Sequence, residues 1–379
     1  MARPRENDEQ AMLRDTVRSM LGRIDALAEV RAGTGGQRGY TESNWAQFAK
    51  QLGAGGALIP EALGGLGLRF GDVCTILEET GAACYNGPFL ASAVLTALVL
   101  LAADHDTTND QRELAAGSFT GAVTTLHYGP DPDSWPTEVE ATTAPDGSAT
   151  LSGTATAVMQ GIGADVLYVV AEDADGGTGI WAVDAAAAGH TMRALETLDL
   201  TRAHSEHTFD ATPARPVLSP STDRARLRNI AALATIALSA EQLGAAGHQF
   251  ATTLDYARTR YQFGRAIGSF QTIKHRCVDM SIALEGATSV HHHARDAADA
   301  RDLTETLTSS DWAVIHAAAL AGAWVSQTTI QIAHASLQIH GGIGMAWEHE
   351  THLYLRRAKA TEHLFGTPTQ HRKALLSLL

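Results

Sequence analysis

Apolar residues near the start of the chain recur every three or four positions, at Leu13, Val17, Met20, Leu21, Ile24 and Leu27. That spacing lines one face of a helix. Helical patterning returns over residues 73–83 and in a long apolar run over 89–103. The pattern then changes. Residues 149–155, 166–171 and 180–183 are short runs rich in β-branched and aliphatic residues. Asp146-Gly147 and Asp175-Gly176-Gly177 supply turn chemistry beside them, as strands joined by tight turns require. From about residue 223 the helical period resumes in three long stretches, 227–258, 270–297 and 311–339, which carry few charges and many small residues. Such helices pack into a bundle, and here one further covered by other subunits. The pattern predicts an α+β chain in three parts. A helical domain spans 1–117, a small barrel or sandwich of strands 118–219, and a helical bundle 220–379.

Composition narrows the class. Hydrophobic residues make up 45% and charged residues 18%, ordinary for a globular protein. A net charge of -14 argues against non-specific nucleic-acid binding, which needs clustered Lys and Arg. No apolar run reaches the ~18 residues of a membrane span, and the first ten residues lack a secretory signal. Cys74, Cys84 and Cys277 match no metal spacing and read as buried small hydrophobes. These features predict a cytoplasmic protein. His291-His292-His293 cannot aim three consecutive side chains at one ion, and reads as a solvated tract. His349-Glu350-Thr351-His352 is one residue short of H-E-x-x-H.

Three strings near the C-terminus carry chemistry. Residues 256–271 read YARTRYQFGRAIGSFQ. Arg260 offers a planar fork of donors suited to phosphate, Phe263 a flat apolar face, and Gly264 a turn. Residues 338–349 read QIHGGIGMAWEH, where Gly341 and Gly342 let backbone approach a ligand closely. Residues 356–367 read RRAKATEHLFGT. A glycine cluster at 53–68, GAGGALIPEALGGLGL, follows a helical pattern instead of a strand, so a dinucleotide loop is a weak reading of it.

Together these strings resemble the acyl-CoA dehydrogenase family, in particular its actinobacterial, heteromeric members that degrade steroids and fatty acids. The glycine cluster is similar to the family's P-E-x-x-G-G-x-G loop at Pro60, Glu61, Gly64, Gly65 and Gly67. The resemblance covers nearly the whole chain. It implies an N-terminal helical domain, a central β-barrel and a C-terminal four-helix bundle, with FAD as cofactor and an acyl-CoA thioester as substrate. By that match, Arg260, Gln262 and Phe263 meet the ADP half of an FAD held mainly by an adjacent subunit. Gln338, Gly341 and Gly342 face its diphosphate and adenine.

The flavin-ring half departs from the family. The family's T-E-P-x-x-G-S-D loop corresponds to residues 124–134, TTLHYGPDPDS, where the match fails. Its G-x-K strand reads Gly153-Thr154-Ala155. The family's R-x-A-K-x-x-x-I-Y-E-G-T segment carries the catalytic glutamate, and here Phe365 holds that position. Removing a proton α to a thioester carbonyl calls for a carboxylate in an apolar pocket. Some family members place the glutamate on an earlier helix, at a position matching Ala234. Glu241 lies two turns further along the same face. It is therefore either a relocated base or a buried glutamate bonded to a neighbouring helix, for instance to an arginine near Arg356. Glu362 matches a non-catalytic position of the segment.

Three readings follow. The chain is one subunit of an α2β2 acyl-CoA dehydrogenase whose partner supplies the flavin-ring pocket and base. Alternatively it is a self-sufficient homotetramer with Glu241 as base, or a flavin-free scaffold. In the catalytic readings electrons pass to an electron-transfer flavoprotein. Ala237, Ala240 and Gly244 either leave room for a bulky acyl group or serve close helix packing.

Overall fold

The computed structural model describes residues 8–124, 137–222, 224–308 and 312–377. The N-terminal part is built on α1 (Asp8–Ile24), α2 (Ala26–Ala32), α3 (Glu42–Ala46), α4 (Phe70–Ala82), α5 (Ala97–Ala102) and α6 (Thr108–Ala115). The apolar stripe of α1 is buried at Val17, Met20, Leu21 and Ile24. Its polar flank is fastened to α4, where Arg14 and Arg18 reach Glu79 at 2.7 and 2.9 Å. A π-helical stretch, Phe89–Thr96, feeds α5 and is buried at every position, which accounts for its uninterrupted apolar sequence. The glycine cluster is a folded-back loop. A Cβ on Gly65 would lie 2.0 Å from the Ile59 carbonyl oxygen, so only glycine permits that approach.

The central part holds β1 (Gly121–Val123), β2 (Val139–Thr143), β3 (Ala149–Met159), β4 (Val166–Asp173), β5 (Thr178–Asp184), β6 (His190–Leu195) and β7 (His204–Ser221). The pairings β4–β2, β2–β3, β3–β7, β7–β5 and β5–β4 return to their starting strand. The sheet is thus a closed barrel. Its interior is filled by residues such as Leu151, Leu167, Val169, Trp181 and Phe209. β1 adds to β4 in parallel and β6 to β7 antiparallel.

The C-terminal part contains α7 (Ala225–Thr259), a tight hairpin of β8 (Tyr261–Gln262) and β9 (Arg265–Ala266), then α8 (Gln271–Asp299), α9 (Leu303–Thr308), α10 (Trp312–His340), α11 (Thr351–Thr361) and α12 (Pro368–Ser377). α7 packs against α4, α8 and α10 and is apolar all round, as a central helix must be. Two glycines set the α4–α7 contact. A Cβ on Gly81 would meet the Glu241 carbonyl oxygen at 1.9 Å, and one on Gly244 the Glu78 oxygen at 1.8 Å. Gly244, with the fully buried Ala237 and Ala240, therefore serves helix packing. α7 and residues 312–345 are long and apolar enough to cross a membrane, although no such span was expected. Their apolar windows are 89% and 67% buried within the fold, which makes them core helices.

Candidate functional site

α11 ends at Thr361, and the chain turns through Phe365 and Gly366, both with positive φ, of 54° and 107°. Left-handed backbone is costly for an aromatic residue, so the surroundings must hold it. They do, because Phe365 is only 6% exposed and belongs to the main core cluster that includes Ala234, Ala237, Leu90 and Val94. The position that resembles the family's base is thus a packed aromatic ring. Ala234, the earlier-helix position, is fully buried in the same cluster. Glu362, nearby, pairs with Lys359 at 3.1 Å.

Glu241 sits at the middle of α7, 3% exposed. Its Oε1 accepts from Arg202 at 2.5 Å and from Arg357 at 2.8 Å. Arg357 also donates to the Tyr85 carbonyl at 3.0 Å, to the Thr201 hydroxyl at 2.7 Å and to the Thr201 carbonyl at 2.8 Å, and it lies 3.4 Å from Asp199. One guanidinium therefore ties the bundle to the barrel loop Asp199–Arg202 and to the loop after α4. All four charged groups are nearly sealed from solvent, and their formal charges cancel. Burying such groups is tolerable only when each is paired and hydrogen-bonded. Of the two readings of Glu241, these bonds fit the structural one: its Oε1 is shared by two arginines, while its Oε2 is buried without a hydrogen-bond partner. Arg357 is the neighbour of Arg356. Arg202 and Asp199 gave no signal in the sequence, since a polar loop between strands looks the same whether or not it reaches a distant helix.

The hairpin end of the bundle is the opposite case. Arg260, Gln262 and Gln338 are exposed, and Phe263 is 90% exposed with φ 53°. Arg265 lies over the Phe270 ring at 4.0 Å, a cation–π contact that orders the hairpin. Tyr256, just before the hairpin, stacks on His340 at 4.5 Å, so the hairpin and the Gln338 turn are joined at one end of the bundle. Gly341 has φ 64°, and a Cβ on either Gly341 or Gly342 would meet nothing within 4 Å. That backbone is open to an approaching ligand. A fork of donors, an unburied aromatic face, an amide and open glycine backbone suit the phosphates and adenine of an FAD.

The ring half offers less. The 124–134 segment lies outside the described residues from 125 to 136. The G-x-K position is Ala155, 7% exposed on β3, with no cation to offer. Among the described residues no group of three or more His, Cys, Asp or Glu could hold a metal. The histidine tract departs from expectation. His291 is fully buried, bonded to Ser239 at 2.8 Å, and burial pushes its pKa down to about 3. The packing of α8 on α7 encloses it, and only His293 is exposed. Cys74 and Cys84 are buried and Cys277 half-buried. Burial raises all three thiols, so the two buried ones behave as the inert packing residues expected.

Comparison with known proteins decides the family. An acyl-CoA dehydrogenase N-terminal domain model matches residues 7–115, and a C-terminal domain model matches residues 230–376. The acyl-CoA dehydrogenase IpdE2 of Mycobacterium tuberculosis is 33% identical over 96% of this chain and 95% of its own. The chain belongs to the acyl-CoA dehydrogenase family. Members of this family are FAD-dependent oxidoreductases, which accords with the open tail site at the hairpin end. Two solved structures are informative. A variant of the Tcur3481-Tcur3483 steroid acyl-CoA dehydrogenase superposes with a TM-score of 0.85 at 28% identity over 98% of this chain and 97% of that one. A chain of the ChsE4-ChsE5 complex from Mycobacterium tuberculosis gives 0.83 at 25% identity over the same shares.

Proposed function

We propose that this acyl-CoA dehydrogenase chain is one subunit of a heteromeric enzyme that α,β-dehydrogenates an acyl-CoA thioester. In this reading Arg260, Gln262 and Phe263, with Gln338, Gly341 and Gly342, hold the ADP half of an FAD. The isoalloxazine ring, and the carboxylate that takes the α-proton, belong to a partner chain of the same family. FAD supplies the hydride acceptor, and an electron-transfer flavoprotein takes the electrons onward. This chain's own residues orient the tail: the guanidinium of Arg260 neutralises phosphate charge, and Phe263 covers the adenine side.

The observation that carries the reading is Phe365, a buried aromatic in the base position. A hydrocarbon ring cannot accept a proton, and Glu241 is held by Arg202 and Arg357. Both solved neighbours bear two-component names, and one is described as a steroid enzyme. On that basis a steroid-derived acyl-CoA is the substrate class we favour.

The test is expression of the chain alone and with candidate partner chains. The expected outcome is a colourless chain without acyl-CoA oxidation, and a yellow, active complex once the right partner is present. A yellow chain that oxidises an acyl-CoA by itself would overturn the proposal in favour of the homotetramer. A complex that forms without flavin would favour the scaffold.

A further inference from the structure

The proposal above concerns the bundle. A separate line of titratable groups lies in the barrel, where β6 meets β7. His190 Nδ1 is 2.8 Å from the Ala185 carbonyl oxygen, His190 Nε2 is 2.9 Å from His207 Nδ1, and His207 Nε2 is 2.8 Å from the Ser205 hydroxyl. The two imidazoles lie within 4° of parallel. His190 is half-buried on the edge strand, whereas His207 and Ser205 are buried. Gly161 closes over the inner end, since a Cβ there would lie 2.5 Å from His207 Nε2 and 2.6 Å from Ser205 Oγ.

The outer end fixes which atoms carry hydrogen. A carbonyl oxygen only accepts, so His190 Nδ1 carries one. Neutral His190 therefore accepts at Nε2. His207 donates to it from Nδ1 and accepts at its own Nε2, where the donor is the Ser205 hydroxyl. Adding one proton to His190 puts hydrogen on both of its nitrogens. His207 must then accept at Nδ1 and carry its hydrogen on Nε2, and Ser205 becomes the acceptor of that bond. The hydroxyl hydrogen now has the Val158 carbonyl, 3.4 Å away, as its acceptor. The bonds between the side chains survive with their directions reversed, and the charge stays on the half-buried ring.

The surroundings favour that placement of charge. Burial, with His190 beside it, pushes the pKa of His207 down to about 4. β3, on the other side of β7, has no ionisable side chain. On β7, Glu206 is committed to Arg193 of β6 at 2.9 Å, and His204 to the Arg202 carbonyl at 3.2 Å. Asp184 and Asp210 are exposed, and Asp165, beyond Gly161, accepts from the Thr120 amide at 2.7 Å.

We infer that His190, His207 and Ser205 form a pH-operated tautomer switch: protonation of His190 at the barrel edge turns the buried His207 from its Nδ1–H to its Nε2–H form and redirects the Ser205 hydroxyl to the Val158 carbonyl. Val158 adjoins the register shift of β3 on β7, and Gln160, two residues on with φ 51°, donates to the Asn86 carbonyl at 2.6 Å. The inner end of the switch therefore lies at the seam between the barrel and the N-terminal part. Neither the flavin nor a partner chain enters this inference.

Long-range proton–nitrogen correlation spectra of the full chain, labelled at its histidine nitrogens and titrated from about pH 8 to about pH 5 across the ordinary histidine range, test it. His190→Phe and His207→Gln assign the two rings. The expected result is that His190 gains a proton, His207 stays neutral, and the His207 tautomer ratio reverses by about tenfold or more over the same interval. In His190→Phe, which keeps an aromatic ring and removes both nitrogens, that ratio should not vary with pH. A His207 that holds one tautomer while His190 titrates overturns the inference. So does a His207 that becomes doubly protonated in the same interval, or a His190 that stays neutral throughout. Switching that persists in His190→Phe overturns the coupling. The parent titration decides by itself, with His207→Gln as the assignment, so the test stands even where His190→Phe misfolds.

Discussion

Two regions of the bundle teach different lessons. At the hairpin end, the residues that resemble the family's FAD-tail motifs point outward, and Phe263 is almost wholly exposed. Where α11 meets α7, key members of the segment that resembles the family's catalytic one point inward: Phe365 is packed in the core and Arg357 is paired with Glu241. The same 35-residue helix, α7, contributes to both. On the heteromeric reading proposed above, this chain has lost groups that would serve its own chemistry, and apolar and paired side chains fill their place. On the same reading, what it retains is what a neighbour would use.

The comparison breaks most readily at Arg357. Arg357→Ala leaves Glu241 and Asp199 buried beside a single remaining arginine, and an uncompensated buried charge costs about 3–5 kcal/mol. Urea unfolding should show that loss, and a variant of near-parental stability would mean that the network is not what joins the three domains. Phe365→Glu asks whether the base can simply be restored. The carboxyl would replace a ring packed in the core, so we expect a loss of about 2–4 kcal/mol and no acyl-CoA oxidation by the chain alone. Activity in that variant would show a latent flavin-ring pocket.

The hairpin end should respond in the opposite way. Arg260→Ala is expected to leave the melting temperature unchanged while weakening FAD retention in the assembled enzyme by about ten- to a hundredfold, the worth of a charge-assisted phosphate contact. Unchanged FAD retention would remove Arg260 from the site. The smallest effect per residue is a pH dependence of the whole frame. Burial pushes His207, His291 and His371 down to about 4, 3 and 4. These histidines stay neutral when folded, whereas the unfolded chain takes up protons as pH falls through the ordinary histidine range near 6.5. Stability present at pH 7 should therefore decline below about pH 6.5, by about 1–2 kcal/mol per histidine at pH 5. His291→Gln should flatten part of that decline.

Much of the fold was legible because it rests on periodicity. The α1 stripe is buried as its spacing predicts, and the strands expected at 149–155, 166–171 and 180–183 appear as β3, β4 and β5 with longer ends. β6 and β7 were not legible. β6 is an edge strand with no fully buried residue, and β7 carries Pro213 and Pro216, so neither shows a clean apolar alternation. The tail motifs could be read because their chemistry is local, set by a hairpin and a turn. The partners of Glu241 could not, because Arg202 and Arg357 lie 39 and 116 residues away in sequence and only the folded chain brings them together. The burial of His291 was missed for the same reason, since a triple histidine carries no mark of which member faces a neighbouring helix.

The division between the two regions is tested most directly by the FAD-to-chain ratio of the assembled enzyme, measured from its visible flavin absorbance beside the stoichiometry of its chains. The account predicts one FAD for each pair of unlike chains and none in this chain alone. One FAD for every copy of this chain in the absence of any other would contradict it.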